Sequence, residues 1–148
     1  MSEADAASLL REVFDALNEH DLDPIAAVAD ERFEFVDVGG GETVHGREQW
    51  RAYCGRFVNG FPDLTQEVTN LVAVGESAFA EAIARGTHTG PLETPDGEVP
   101  PTGRRIEVRF CVVARARDGL LVDGREYYDS MTLLTQLGPV PESSETAG

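Results

Sequence analysis

Residues 84–105 read ARGTHTGPLETPDGEVPPTGRR, with His88 near the start of the stretch. A strand-like run, FAEAIARGTH, leads into it, and a second run, RIEVRFCVVARAR, leads out. Glycines and prolines crowded between two such runs are typical of the connection between two strands. The pattern therefore predicts a sheet that opens at this end, with His88 at the opening.

The strands on either side of this connection alternate with period two. One face of the first strand carries only small residues before it reaches the imidazole: Ala78, Ala80, Ala82, Ala84, Gly86 and His88. Because a face of alanines leaves space above it, a curved sheet with this face inside would enclose a pocket. The second strand is expected to turn Phe110 inward.

Two short turns join the strands into hairpins, one at Gly75-Glu76 and one at Asp118-Gly119. The second turn leads into the last strand, LLVDGREYYDS. Counting alternate positions along that strand predicts that four polar residues share the inward face with Leu121, and these are Asp123, Arg125, Tyr127 and Asp129.

The first half of the chain is mainly helical. Apolar residues recur at helical spacing from Leu9 to Leu17, and a later helix from Arg47 carries a stripe that includes Trp50, Tyr53 and Phe57. Helices followed by a succession of strands indicate an α+β fold, with the helices across the concave side of the sheet.

Between these helices, the run ERFEFVDV places Phe35 and Asp37 on one face of a strand. Asp37 then either reaches the pocket or ends the strand as a turn residue before Gly39, Gly40 and Gly41. Both interpretations stay open on the sequence.

Composition limits the partners. The 148 residues fit one domain, 1–138, followed by a polar tail, 139–148. A formal net charge of -15 argues against nucleic acids and anionic membranes as partners. The absence of a long apolar run or a leader pattern favours the cytoplasm. Cys54 and Cys111 lack metal-ligand spacing, so we expect no metal site.

All twelve basic residues are arginine, and the chain has no lysine. Genomic bias toward G and C would replace lysine by arginine without affecting function. Adaptation to concentrated salt would in addition explain the acidic excess, because salt screens the repulsion between like charges.

The motifs GTHTGPL, PPTGRR and DGLLVDGREYYDSMTLLTQLG resemble those of the SnoaL-like polyketide cyclases of the nuclear transport factor 2-like superfamily, over roughly Ala7 to Gly138. The resemblance implies a cone-shaped α+β barrel, a curved antiparallel or mixed sheet wrapped around N-terminal helices. It also implies an apolar pocket for a small hydrophobic molecule and assembly into dimers or tetramers through the outer sheet face.

The resemblance also implies chemistry. The cyclases of this family close a ring by an intramolecular aldol reaction, without a metal or an organic cofactor. By motif, Asp129 would act as acid and base, and His88 would be the histidine beside the pocket. A carboxylate needs an elevated pKa for this work, which burial in an apolar pocket would supply.

Tyr127 or His88 could then donate a hydrogen bond to an enolate oxygen. Arg125 would lie close enough to pair with Asp129 or Asp123, which would lower the pKa of the carboxylate and weaken it as a base. Alternatively, Arg125, Asp129 and His88 form a buried polar network that only holds the sheet in shape.

Other functions remain open. A ketosteroid isomerase-like enzyme would use Asp37 as its base, and an epoxide hydrolase-like enzyme would need Asp123, Arg125 and Asp129 together. A non-catalytic carrier of small hydrophobic ligands would need only the pocket. The side chains expected to bind the ligand are Phe35, Asp37, Trp50, Tyr53, Phe57, Phe110, Arg125 and Tyr127.

Overall fold

A computed structural model describes residues 5–138, so the predicted polar tail at 139–148 lies outside the described residues. The described chain folds into helices and strands in this order: α1 Ala6–Glu19, α2 Asp23–Ala27, β1 Ala29–Asp37, β2 Glu42–His45, α3 Arg47–Gly60, β3 Thr65–Val74, β4 Ser77–Thr87, β5 Leu92–Thr94, β6 Gly97–Val99, β7 Arg105–Arg117, β8 Leu120–Tyr128 and α4 Ser130–Leu137. No helix within residues 5–138 is long and apolar enough to cross a membrane.

Six strands form one mixed sheet in the order β2-β1-β8-β7-β4-β3. All neighbouring pairs are antiparallel except β1 and β8, which run parallel. This parallel pair brings the end of the first strand beside the end of the last one. The predicted α+β class is confirmed, with a sheet that combines antiparallel and parallel neighbours.

Helix α1 packs across the inner face of the sheet and contacts β3, β4, β7 and β8. It begins after Asp5, whose side chain accepts a hydrogen bond from the backbone N–H of Ser8. The side chains of Leu10, Val13 and Phe14 are buried beneath it. This apolar face follows the helical spacing read from the sequence.

The alternation predicted for β4 and β7, the strands on either side of the Gly- and Pro-rich connection, is confirmed. Ala78, Ala80 and Ala82 are buried on β4, and Phe110 is buried on β7. The Asp118-Gly119 turn is also confirmed, with φ angles of 54° and 81°. Positive φ at both central residues suits a two-residue hairpin, because the turn then matches the twist of the strands.

Strand β8 departs from the predicted alternation at Val122. Leu121 pairs with Ala116, whereas Asp123 pairs with Arg115, so Val122 is an extra residue on β8. Such a β-bulge shifts every later side chain to the opposite face.

Our prediction of the inward face beyond Leu121 is therefore wrong for Asp123, Arg125, Tyr127 and Asp129. Gly124, Glu126 and Tyr128 occupy the positions that face the inside of the sheet.

The Gly- and Pro-rich connection between β4 and β7 contains a small hairpin of its own. Strands β5 and β6 pair in it, with Leu92 opposite Val99. Leu92 is buried against α3, where a Cβ on Gly60 would lie only 3.0 Å from Leu92 Cδ1. This hairpin therefore packs against the C-terminal end of α3.

Candidate active site

An apolar cavity lies between the inner face of the sheet and the helices. Its empty volume is about 890 Å³, including the mouth that opens to solvent. The aromatic rings that line this cavity come from both halves of the chain, and they are Phe14, Phe35, Trp50, Tyr53, Phe57, Phe61, Phe110 and Tyr128.

Among the described residues, Glu126 is the only acidic one that lines this cavity. It lies on β8 between Val112 of β7 and Asp37 of β1, with which it is in register. Burial, reinforced by the nearby charge of Asp37, raises the pKa of Glu126 to about 8. A carboxyl group with such a pKa can accept a proton and return it near neutral pH.

Asp37 lies behind Glu126 at the end of β1 and is only 3% exposed. Its Oδ2 accepts a hydrogen bond of 2.7 Å from the Tyr53 hydroxyl, and its Oδ1 accepts one of 2.7 Å from the backbone N–H of Gly40. A Cβ on Gly40 would come within 2.7 Å of Asp37 Oδ2, so the loop needs glycine there. Asp37 thus ends the strand as a turn residue and also belongs to the buried cluster.

Two tyrosines complete the cluster. Burial raises the pKa of Tyr53 and of Tyr128 above the usual phenol value, and the neighbouring carboxylates raise it further by a smaller amount. Both phenols therefore keep their protons and remain hydrogen-bond donors. The guanidinium of Arg56 lies 4.8 Å from the centre of the Tyr53 ring, and it is bound by Glu42 at 2.8 Å.

The predicted catalytic residue Asp129 lies outside the cavity. It is exposed and caps α4, where Oδ1 accepts from the backbone N–H of Met131 at 3.0 Å and Oδ2 accepts from the Thr132 hydroxyl at 2.9 Å. Since β8 ends one residue earlier, Asp129 belongs to the start of a helix rather than to the sheet.

His88 is completely buried but does not line the cavity. Its ring packs on Phe61, with 5.3 Å between ring centres, and Phe61 stands between it and the cavity. The backbone N–H of Thr102 donates to His88 Nδ1 at 3.2 Å, so Nδ1 is the unprotonated nitrogen. Burial lowers the pKa of His88, and the Val99 carbonyl partly opposes this effect.

The polar set Asp123, Arg125 and Tyr127 is not assembled inside the sheet. Arg115 of β7 binds Asp123 at 2.6 Å. Arg125 is exposed, and its Nε donates to the hydroxyl of Tyr127, which is 43% exposed. The expected contact between Arg125 and Asp129 is therefore wrong, and so is the grouping that an epoxide hydrolase-like site would need.

Other predicted ligand-binding residues do line the cavity, namely Phe35, Trp50, Tyr53, Phe57 and Phe110. Sequence reasoning missed Glu126 and Tyr128, because it carried strict alternation through the bulge at Val122. One signal was present in Gly124. A glycine inside a strand often marks a bulge or a close approach, and a Cβ at Gly124 would lie 3.3 Å from the Phe35 ring.

A curved sheet with helices over its concave face and one apolar cavity is the nuclear transport factor 2-like, or ketosteroid isomerase-like, fold. The chain belongs to the SnoaL-like polyketide cyclase family, whose model matches residues 5–137. None of the curated proteins matches the chain.

Solved structures agree with this fold. IdmH from Streptomyces antibioticus, named as a candidate polyketide cyclase, is 29% identical, with a TM-score of 0.71 over 89% of this chain and 97% of that one. A candidate SnoaL-like polyketide cyclase from Jannaschia sp. CCS1 is 21% identical, with a TM-score of 0.79 over 95% of this chain and 100% of that one. A protein of ketosteroid isomerase-like fold from Catenulispora acidiphila is 19% identical, with a TM-score of 0.75 over 93% of this chain and 96% of that one.

Proposed function

We propose that the protein is a cofactor-independent acid/base enzyme that enolises a hydrophobic carbonyl compound and carries out an aldol-type cyclisation or an isomerisation. The observation that carries the proposal is Glu126, a carboxyl group in an apolar cavity with a pKa of about 8. The sequence predicts the same chemistry, but Glu126 replaces Asp129 as the acid and base.

The reaction begins when the ionised form of Glu126 removes a proton from the carbon next to the substrate carbonyl. The electron pair of that C–H bond moves onto the carbonyl oxygen, which leaves an enolate and a neutral Glu126. A base with a pKa near 8 is better matched to a carbon acid than an ordinary carboxylate is. The apolar lining of the cavity supports this step because it disfavours the ionised carboxylate and so raises its affinity for a proton.

Neutral Glu126 then returns the proton. In an isomerisation, the proton goes to another carbon of the enolate system. In a cyclisation, the enolate carbon attacks a second carbonyl carbon of the same molecule, and the alkoxide so formed takes the proton. Glu126 ends each cycle ionised, so the reaction needs no other reactant.

Tyr128 is the phenol donor available to the enolate oxygen, because the hydroxyl of Tyr53 already donates to Asp37. Asp37 does not itself line the cavity. It accepts the hydrogen bond that orients Tyr53, and its charge increases the proton affinity of Glu126. We assign Asp37 a positioning part rather than contact with the substrate.

The test is hydrogen–deuterium exchange of 2-tetralone, an apolar ketone that enolises readily, followed by NMR in deuterated buffer. Glu126→Gln keeps the shape of the side chain and removes the base, so exchange catalysed by the protein should fall by about 10²–10⁴-fold. Asp129→Asn is the matched control, because Asn also caps a helix, and it should retain the wild-type rate. Equal rates for Glu126→Gln and the wild type would refute the proposal.

The second candidate is a carrier of small hydrophobic ligands, and the largely apolar lining of the cavity favours it. Trp50 lines the cavity and is the only tryptophan, so its fluorescence reports ligand binding. Binding of 2-tetralone by the wild type without any catalysed exchange would identify a carrier rather than an enzyme.

A further inference from the structure

A second polar group lies in the cavity wall, away from the Glu126 cluster. Gln66 of β3 lines the cavity, and its Oε1 is buried without a hydrogen-bond partner in the part of the chain that the structure describes. A buried acceptor without a partner is unfavourable, and proteins rarely keep one in a stable wall. A ligand with a hydrogen to donate would satisfy it.

The backbone of Gln66 is fixed from outside the sheet. β3 is an edge strand, so one side of its backbone has no strand to pair with. Asn18 of α1 takes the place of that strand: its Nδ2 donates to the Gln66 carbonyl at 2.9 Å, and its Oδ1 accepts from the Gln66 N–H at 2.6 Å. The two bonds hold Gln66 in register with Ala84 and keep its side chain on the inner face.

Gln66 and Glu126 are far apart along the sheet. Three strand spacings separate β8 from β3, which is about 14 Å across the strands at about 4.8 Å per spacing. The register adds about 13 Å along the strands, because Gln66 aligns through Ala84 with Val108 whereas Glu126 aligns with Val112. The lining between them is apolar, and it includes Ala84, Val108 and Val112. A molecule that reaches both groups must therefore be elongated, apolar in its middle and polar at both ends.

We propose that Gln66 is a second contact for the substrate, and that the substrate is an elongated apolar ketone with a hydroxyl group at the end remote from the reacting carbonyl. The carbonyl lies at Glu126, and the distal hydroxyl donates to Gln66 Oε1. This assignment rests on the proposed function for its orientation, because Glu126 fixes which end reacts.

The test compares two ketones, 2-decanone and 10-hydroxy-2-decanone, whose flexible chains can adjust to the distance. Dissociation constants come from Trp50 fluorescence and calorimetry, for the wild type and for Gln66→Leu. The wild type should bind the hydroxyketone more tightly than Gln66→Leu does, by about 5–10-fold, while 2-decanone binds both equally well or prefers Gln66→Leu. Gln66→Met replaces Gln66→Leu if the leucine variant does not fold.

The same titrations in Glu126→Gln separate this proposal from the proposed function. If Gln66 binds the hydroxyl but Glu126 is not the base, Gln66→Leu still weakens binding of the hydroxyketone. In that case Glu126→Gln exchanges ketone hydrogens at the wild-type rate. A hydroxyketone affinity that does not change in Gln66→Leu would overturn the proposal, and so would a failure of both ketones to bind. The first result would mean that water alone satisfies Gln66, and the second would mean that the cavity does not bind ketones of this kind.

Discussion

Glu126 differs from an ordinary surface glutamate in what surrounds it. Its neighbours on the inner face are apolar side chains and the carboxylate of Asp37, and both disfavour the ionised form. Within residues 5–138, no hydrogen bond contributes to its pKa. At neutral pH the group therefore exists as a mixture of acid and base, which suits a residue that must take up a proton and release it.

The raised pKa of Glu126 predicts how stability depends on pH. The unfolded chain releases this proton near the usual value of 4.5, whereas the folded protein holds it until about pH 8. Folding thus binds a proton between these values, so the free energy of unfolding should fall as pH rises from 5 to 8, by up to about 1.4 kcal/mol per pH unit.

Urea unfolding at pH 5, 6.5 and 8 measures this effect. Glu126→Gln cannot titrate and should lose less stability over the same interval. Parallel curves for the two proteins would show that Glu126 has an ordinary pKa and would weaken its assignment as the base.

At the scale of elements, periodicity in the sequence was enough for β4, β7 and α3, because each keeps one repeat from end to end. It was not enough for β8. The bulge at Val122 arises from how β8 pairs with β7, and that pairing includes residues that local periodicity does not describe. Periodicity also failed to predict where α4 begins, because Asp129 continues the strand pattern in the sequence but caps a helix in the structure.

The connection from β4 to β7 depends on His88 in a way that can be tested. Its ring fills the space beside Phe61 and accepts a hydrogen bond from Thr102. His88→Ala should lower the free energy of unfolding by about 1–3 kcal/mol, because Thr102 loses its partner inside the protein. Thr89→Ala, at an exposed neighbouring position, should change it little.

Measurements at pH 7.5 and pH 5.5 add a second readout. Because burial lowers the pKa of His88, the unfolded chain gains a proton below about 6.5 more readily than the folded protein does. The stabilisation by His88 should therefore shrink on acidification. A His88→Ala variant that keeps full stability but loses ketone exchange would instead support a catalytic role for His88.

At the scale of the whole molecule, the candidate site depends on topology rather than on any local motif. Asp37 and Glu126 are neighbours only because β1 pairs in parallel with β8. Alternation could place Asp37 on an inward face, but it could not reveal which strand would lie beside it. The apolar cavity was more predictable, since the alanine face of β4 and the aromatic stripe of α3 are both visible in the sequence.

Charge is the other property of the whole molecule. The chain has 27 acidic and 12 basic residues, so arginines cannot compensate all carboxylates even though several form ion pairs, such as Arg85 with Glu67 and Glu107. Repulsion among the remaining carboxylates should destabilise the protein at low ionic strength.

Thermal unfolding from 20 mM to 2 M potassium chloride tests the origin of this composition. Simple screening is largely complete once the Debye length reaches about 8 Å at 0.15 M salt. Adaptation to concentrated salt predicts a melting temperature that continues to rise well beyond that concentration, whereas genomic bias alone predicts an early plateau. The rise should shrink near the isoelectric point of about 4.4, where net charge is small, and a flat profile at neutral pH would reject salt adaptation.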